Sequence, residues 1–254
     1  MNFCIGADLG STAIKVVIHS GETSLWRGSA PTVPNQESVV RRLIDEGLSA
    51  ICANGAAYQI AATGYGKKLL TGAQKIINEI SANALGLFHQ SGGRAGVIIN
   101  IGGQDSKVIR LAPDGRVCDF RMNDKCAAGT GRFFEQAARI LDVPLTDFAR
   151  LGLASKKEID INSVCVVFAE SEIVSLLSAG TAREDIIRGL CASVARRAAG
   201  LMGNDAAEGD IYLDGGPALN ECLVAALGDE LSADVHVLEY PQYTVAHGAA
   251  LSLL

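Results

Sequence analysis

A short, largely apolar run from Phe3 to Leu9, a polar tip Asp8-Leu9-Gly10-Ser11-Thr12 and a second apolar run from Ala13 to Ile18 read as a β-hairpin. Leu25 to Ser29 continues the sheet. Between Gln36 and Gly47 the apolar positions Val39, Val40, Leu43 and Ile44 recur at helical spacing. Tyr58 to Ala62 reads as another strand, and Ala62-Thr63-Gly64-Tyr65-Gly66-Lys67 as a loop whose glycines permit turns that a side chain would forbid. Gln74 to His89 has Ile76, Ile77, Ile80, Ala84, Leu87 and Phe88 mostly on one side, which predicts a long helix.

The plan then repeats. Val97-Ile98-Ile99-Asn100-Ile101 is an apolar strand, Gly102-Gly103-Gln104-Asp105 a glycine-rich polar tip, and Ser106-Lys107-Val108-Ile109 a strand that again carries a Lys. Val108 to Leu111 and Arg116 to Phe120, joined across Pro113-Asp114-Gly115, extend this half as Leu25 to Ser29 extends the first. Such a tip can present backbone N–H and hydroxyl groups to a phosphate while Asp8 holds a metal ion through water; the same residues would also serve as an ordinary turn. Two tips in matching contexts point to an α/β protein of two duplicated lobes around a nucleotide cleft. The expected division is residues 1–94, joined by a C-terminal helix at 242–254, and residues 95–241.

In the second half, Asn123-Asp124-Lys125-Cys126-Ala127-Ala128-Gly129-Thr130-Gly131 precedes a helix carrying Phe133, Phe134, Ala137, Ala138, Ile140 and Leu141, which Pro144 ends. Its glycines, Gly129 among them, let backbone approach a bulky ligand, and the helix start offers unpaired N–H groups and a dipole that favours a thiolate. A cysteine there is also compatible with plain packing. Ile159 to Phe168 predicts a strand, Ala169 to Leu177 a helix with Cys165 just ahead of it, and Ala182 to Met202 a longer helix. Asp210 to Asp214 is a strand ending in Asp214-Gly215-Gly216-Pro217-Ala218-Leu219-Asn220, a glycine turn that brings backbone close to a flat ligand such as adenine. Val235 to Leu238 is a late strand, and Thr244 to Leu254 a helix packed back on the first lobe.

Composition narrows the class. With 254 residues, 48% hydrophobic and 20% charged, the chain can build two substantial cores. A formal charge of -6 with scattered Lys and Arg argues against nucleic-acid binding. No apolar run reaches the length of a membrane span, and the N-terminus lacks a basic targeting region, so a cytoplasmic protein is expected. Seven cysteines, an odd number, suggest reduced thiols or metal ligands rather than disulfides.

The order Asp8-Leu9-Gly10-Ser11-Thr12, Asn100-Ile101-Gly102-Gly103-Gln104-Asp105 and Asp214-Gly215-Gly216 resembles the two phosphate motifs and the adenosine motif of the actin-like ATPase fold, which acetate and sugar kinases, actin and heat-shock chaperones share. Met122 to Phe133 and Cys165-Val166-Val167-Phe168-Ala169-Glu170-Ser171-Glu172 resemble signatures of the activators of 2-hydroxyacyl-CoA dehydratases, in the BadF/BadG/BcrA/BcrD ATPase family. That resemblance implies a homodimer sharing one 4Fe-4S cluster, ligated by Cys126 and Cys165 of each chain, with ATP or ADP and Mg²⁺ as further cofactors. Four thiolates from two symmetric chains would complete such a cluster. It implies ATP-driven rotation of the lobes and delivery of one low-potential electron to a dehydratase, or a related iron-sulfur acceptor, after reduction by a donor such as ferredoxin or flavodoxin. The resemblance casts Asp8 as a water-mediated Mg²⁺ ligand, Lys15 as a phosphate neutraliser, and Gln104 or Asp105 as the group orienting the attacking water. Gly10, Ser11, Thr12, Gly102, Gly103, Gly129, Asp214, Gly215, Gly216 and Asn220 complete the expected nucleotide contacts.

The chain departs from the family pattern at Asn100, where Asp is common and one metal-facing carboxylate is lost, and at Val245, where glycine is usual. His247 reads as a local helix residue. A small-molecule kinase of the N-acetylglucosamine type shares the fold but has no use for Asn123 to Gly131, and a binding module without its cluster is a third reading.

Overall fold

The computed structural model describes residues 3–155, 157, 159–161, 166–203 and 209–254. The chain divides into two compact units, one made of Met1–Ala95, Leu111–Cys118 and Gln242–Leu254, the other of Gly96–Arg110 and Asp119–Pro241. Among the described residues no helix is long and apolar enough to cross a membrane.

One strand plan is used twice. In the first sheet β1 (Phe3–Leu9) is central, flanked by β2 (Ala13–Ser20) and β3 (Thr23–Pro31) on one side and by β4 (Tyr58–Thr63) and β5 (Lys75–Ile76) on the other. In the second, β6 (Gly96–Ile101) is central between β7 (Ser106–Leu111) and β8 (Val117–Asn123) and, opposite, β9 (Asp210–Asp214) and β10 (Val235–His236). Each central strand pairs antiparallel with the next strand in sequence and parallel with one that arrives much later. Every residue of β1 and β6 is buried, as a strand covered on both faces requires.

The helices supply the cover. On α1 (Gln36–Ala50), Val39, Val40, Leu43, Ile44 and Leu48 pack with Ile5, Leu9, Ile14, Val16, Ile18 and Ile60. The Asn35 side chain accepts from Ser38 N and starts the helix. In the second unit α3 (Gly131–Leu141), α4 (Phe148–Ala154), α5 (Val166–Ser178), α6 (Arg183–Met202) and α7 (Glu221–Leu231) enclose a core with Ile99, Ile101, Val108, Phe133, Phe134, Phe148, Ile187, Leu190, Leu213 and Leu223.

Two expectations are corrected. The helix predicted over Gln74 to His89 starts only at Glu79, as α2 (Glu79–Gln90), because Asn78 caps it by accepting from Ile80 N. Lys75–Ile76 instead pairs with Ala61 and Ala62 at the open edge of β4. The strand predicted over Ile159 to Phe168 is not formed where residues are described: 159–161 have no regular structure and Val166 to Phe168 begin α5, while 162–165 lie outside the described residues. Val166, Ala169, Ile173 and Leu177 repeat at three- to four-residue spacing and face the core, so the helical period wins over the β-branched composition.

The last helix, α8 (Thr244–Leu251), is buried at every position and lies against α2, β1, β2 and β4. Its approach to α2 is backbone to backbone. A Cβ on Gly248 would lie 1.8 Å from the Ala82 carbonyl oxygen, and one on Gly86 2.0 Å from that of Thr244. Three of the chain's four histidines line up in this unit. His19 on β2 shares a hydrogen bond of 2.9 Å with His247 on α8, which shares one of 3.1 Å with His89 on α2, and Glu22 sits 3.8 Å beyond. His247 is thus a helix residue, as expected, and also the middle member of a buried chain. Burial holds His19 at about 4 and His247 at about 3, both below the ordinary value.

Two measurements follow from this packing. Gly248→Ala should destabilise the fold by about 1–3 kcal/mol in urea unfolding, whereas Gly200→Ala on α6, with open space around it, should stabilise by about 0.5–1 kcal/mol; equal midpoints would contradict the close approach. Unfolded histidines take up protons below about pH 6.5 while the buried pair stays neutral, so stability is whole above that pH and falls toward pH 4. The thermal midpoint should therefore drop between pH 7 and pH 5, and His247→Gln should make that drop shallower; an unchanged pH slope would rule out the buried imidazoles as its source.

Candidate nucleotide site

In the first unit the tip follows β1. Asp8 is 4% exposed, and its Oδ2 accepts from Lys15 Nζ at 3.1 Å, so Lys15 is a fixed partner rather than a solvated strand charge. Gly10, Ser11 and Thr12 form the turn, and the end of β3 pins it: Thr32 N donates to Thr12 O at 2.9 Å and Thr32 Oγ1 to Gly10 O at 2.8 Å. Parallel pairing of β1 with β4 sets Thr63 beside Asp8. Beyond it Gly64, at φ +85°, turns so closely over the strand end that a Cβ would lie 2.6 Å from Asp8 Oδ1 and 2.7 Å from Leu9 O.

Three oxygens here, Asp8 Oδ1, Thr12 Oγ1 and Thr63 Oγ1, are buried without a hydrogen-bond partner. Each such atom costs about 1–3 kcal/mol, which a ligand can relieve. A carboxylate oxygen takes a donor or a hydrated cation, and hydroxyls donate to phosphate. The donor set fits a phosphate with Mg²⁺.

The second unit repeats the arrangement with different side chains. Asn100 and Lys107 are register partners on β6 and β7, as Asp8 and Lys15 are on β1 and β2. Asn100 is also set beside Asp214 on β9, as Asp8 is beside Thr63. Gly215, at φ +91°, follows Asp214 and would place a Cβ 2.1 Å from Ile101 O. Lys107 turns to the tip instead, bonding Asp105 Oδ2 at 2.9 Å, and both side chains are almost fully buried. Gly102 N donates to Asp105 O at 2.9 Å and closes the turn, while Gly102 and Gly103 remain half-buried and Gln104 is exposed.

The start of α3 is bolted to this tip. Gly131 N donates to Gly102 O at 2.8 Å and Arg132 N to Gly103 O at 3.0 Å. The first-turn N–H groups expected to be open to a ligand are therefore taken by the tip carbonyls, which replace a side-chain cap. The half-buried Cys126 lies in the turn that leads into this helix. Asn123 Oδ1 accepts from Cys126 N at 3.3 Å, Asn123 Nδ2 donates to Cys126 O at 3.2 Å, and Thr130 Oγ1 donates to Ala127 O at 2.7 Å. A Cβ on Gly129 would lie 3.4 Å from Arg197 Cδ. Cys165 lies outside the described residues, next to the start of α5.

At the end of β9, Gly215 N donates to Pro241 O at 3.1 Å, and Gly216 is exposed with open space beside its Cα. Asn220 is turned to α7, where its Oδ1 caps Cys222 N at 3.1 Å and its Nδ2 reaches Cys191 Sγ at 3.5 Å. The Cys191 and Cys222 thiols also bond each other, which raises the first and lowers the second. Thr63 and Lys107 were not singled out as site residues from the sequence. The matching seven-residue spacing of Asp8 to Lys15 and Asn100 to Lys107 was the available signal for Lys107, and Thr63-Gly64 against Asp214-Gly215 for Thr63.

Similarity to known proteins agrees with this geometry. A protein of Anaerotignum propionicum named activator of lactoyl-CoA dehydratase is 41% identical over 251 residues, 98% of this chain and 96% of that one. The (R)-2-hydroxyglutaryl-CoA dehydratase activating ATPase of Acidaminococcus fermentans is 40% identical over 252 residues, again 98% and 96%. The solved activator of the 2-hydroxyisocaproyl-CoA dehydratase from Clostridium difficile, with bound ADPNP, superposes with a TM-score of 0.92 at 37% identity, over 98% of this chain and 93% of that one. The fold is thus the actin-like ATPase fold, which a sugar kinase of the ROK family shares at 14% identity, a likeness of fold alone. Residues 5–252 match the family model described as the BadF/BadG/BcrA/BcrD ATPase family, and the chain belongs to that family.

Proposed function

We propose that the chain is an ATPase that activates a 2-hydroxyacyl-CoA dehydratase, or a related iron-sulfur acceptor, by passing it a low-potential electron. What supports this reading most is the pair of main-chain bonds from Gly131 and Arg132 to the carbonyls of Gly102 and Gly103. A shift of the phosphate tip moves the start of α3, and with it the turn that carries Cys126. Nucleotide state and cysteine position are then one mechanical variable.

In this reading Asp8 holds hydrated Mg²⁺ through its unpartnered Oδ1, while Lys15 keeps the carboxylate in place and offsets phosphate charge. Gly10, Ser11 and Thr12 in the first unit, and Gly102 and Gly103 in the second, present backbone to phosphate, and Thr63 adds a hydroxyl donor. Gln104, exposed at the second tip, orients the attacking water, and Asp105 fixes that tip through Lys107. Asp214, Gly215 and Gly216 shape the adenosine contact, with Asn220 holding the start of α7 behind them. Cys126, a half-buried thiol in a pinned turn, and Cys165, which lies outside the described residues, would each be given by two identical chains to hold a shared 4Fe-4S cluster. That group supplies a one-electron couple, recharged by a donor such as ferredoxin or flavodoxin.

Asp8→Asn should leave the circular dichroism spectrum intact and lower kcat for ATP hydrolysis on the order of 10²-fold; a wild-type rate would remove Asp8 from the chemistry. After anaerobic purification the wild-type protein should be brown with about four irons per dimer. Cys126→Ser should lose that iron yet bind ADPNP unchanged in calorimetry, and normal iron in the variant would refute the ligand assignment.

A further inference from the structure

The two units treat the same pair of positions differently. At the end of β6 and β9, Asn100 Nδ2 donates straight to Asp214 Oδ1 at 2.5 Å. At the end of β1 and β4 the corresponding residues are Asp8 and Thr63, 4% and 0% exposed, and there the link is left open. Asp8 Oδ2 is taken by Lys15 Nζ at 3.1 Å. Asp8 Oδ1 and Thr63 Oγ1 have no hydrogen-bond partner among the described residues, in each other or elsewhere. The chain crosses beside them at Gly64, where a Cβ would lie 2.6 Å from Asp8 Oδ1, so only a glycine leaves that oxygen free to meet a ligand atom.

We propose that Thr63 is a positioning residue: its hydroxyl and Asp8 Oδ1 hold the same water of hydrated Mg²⁺, and this pair sets how strongly nucleotide binding depends on the metal. The inference rests on the ATPase reading and assigns to it a residue outside both glycine tips. A water bound to a cation turns its oxygen to the metal and has only hydrogens to offer, so it needs two acceptors. Asp8 Oδ1 is one, and Thr63 Oγ1 is the other. A hydroxyl accepts and donates at once, so the hydrogen of Thr63 stays available for a phosphate oxygen. The carboxylate alone would leave the second hydrogen of that water unpaired where the strand end is closed to solvent, which weakens the hold on the hydrated ion.

The test is calorimetric binding of ADPNP to the full-length protein, with Mg²⁺ and with EDTA. It compares the wild type, Thr63→Val, Thr63→Ser, Asp8→Asn and the double variant Thr63→Val with Asp8→Asn. The ratio of the two affinities measures what the metal adds. Thr63→Val should lower that ratio about five- to tenfold, and Thr63→Ser, which keeps the hydroxyl, should hold it near the wild-type value. Because both residues act on one water, the double variant should lose less than the product of the single losses. A side chain that only supports the fold would weaken binding equally with and without metal. Thr63→Val should also keep the circular dichroism spectrum of the wild type, since its hydroxyl bonds nothing in the protein. The inference is overturned by a Thr63→Val that does not fold or keeps the wild-type ratio, by a Thr63→Ser that behaves as the valine does, or by losses that simply multiply. Wild-type protein that binds no ADPNP defeats the ATPase reading itself; wild-type binding with an unaltered Thr63→Val defeats the shared water alone.

Discussion

The structure depends on a late strand arriving parallel to an early one. The hairpins β1–β2 and β6–β7 are local, but neither makes a site until β4 or β9 docks alongside and its following glycine folds over the carbonyl at the end of the central strand. Only a residue without a side chain fits, since a Cβ at Gly64 or Gly215 would enter the backbone it crosses. That crossing floors the tip, brings Thr63 to Asp8 and Asp214 to Asn100, and seals the strand end from water. Unpaired oxygens in the first unit and a buried ion pair in the second are consequences of the same seal.

From the tip, order is passed on by main chain rather than by side chains. The start of α3 spends its donors on Gly102 and Gly103, and the Asn123 and Thr130 bonds shape the turn that holds Cys126. Hydrogen bonds between backbones have little freedom to lengthen, so this route transmits displacement with little slack. Long side chains in the same place would absorb it in rotamer changes.

What could be read from the sequence was what is local. Apolar runs broken by Gly-rich polar tips announce both hairpins, and the glycine turn after Asp214 announces the third motif. Where a contact distant in sequence decides, local reading fails. Lys75 and Ile76 have helical neighbours, but the open edge of β4 and the Asn78 cap make them a strand. Val166 to Phe168 look β-forming until the spacing out to Leu177 is laid against the core. The link between Asn100 and Asp214 spans 114 residues, and that between His19 and His247 spans 228, so only the folded chain could reveal them.

That long span also concerns how the molecule is made. The last helix, α8, completes the packing of β1, β2 and β4, whereas the second unit lies wholly earlier in the chain than α8. On the ribosome the second unit can therefore close while the first still waits for its lid, with Ala61 and Ala82 not yet covered by Val245 and Ala249 of α8. Folding order thus runs opposite to synthesis order: the unit that begins the chain is the last to become native.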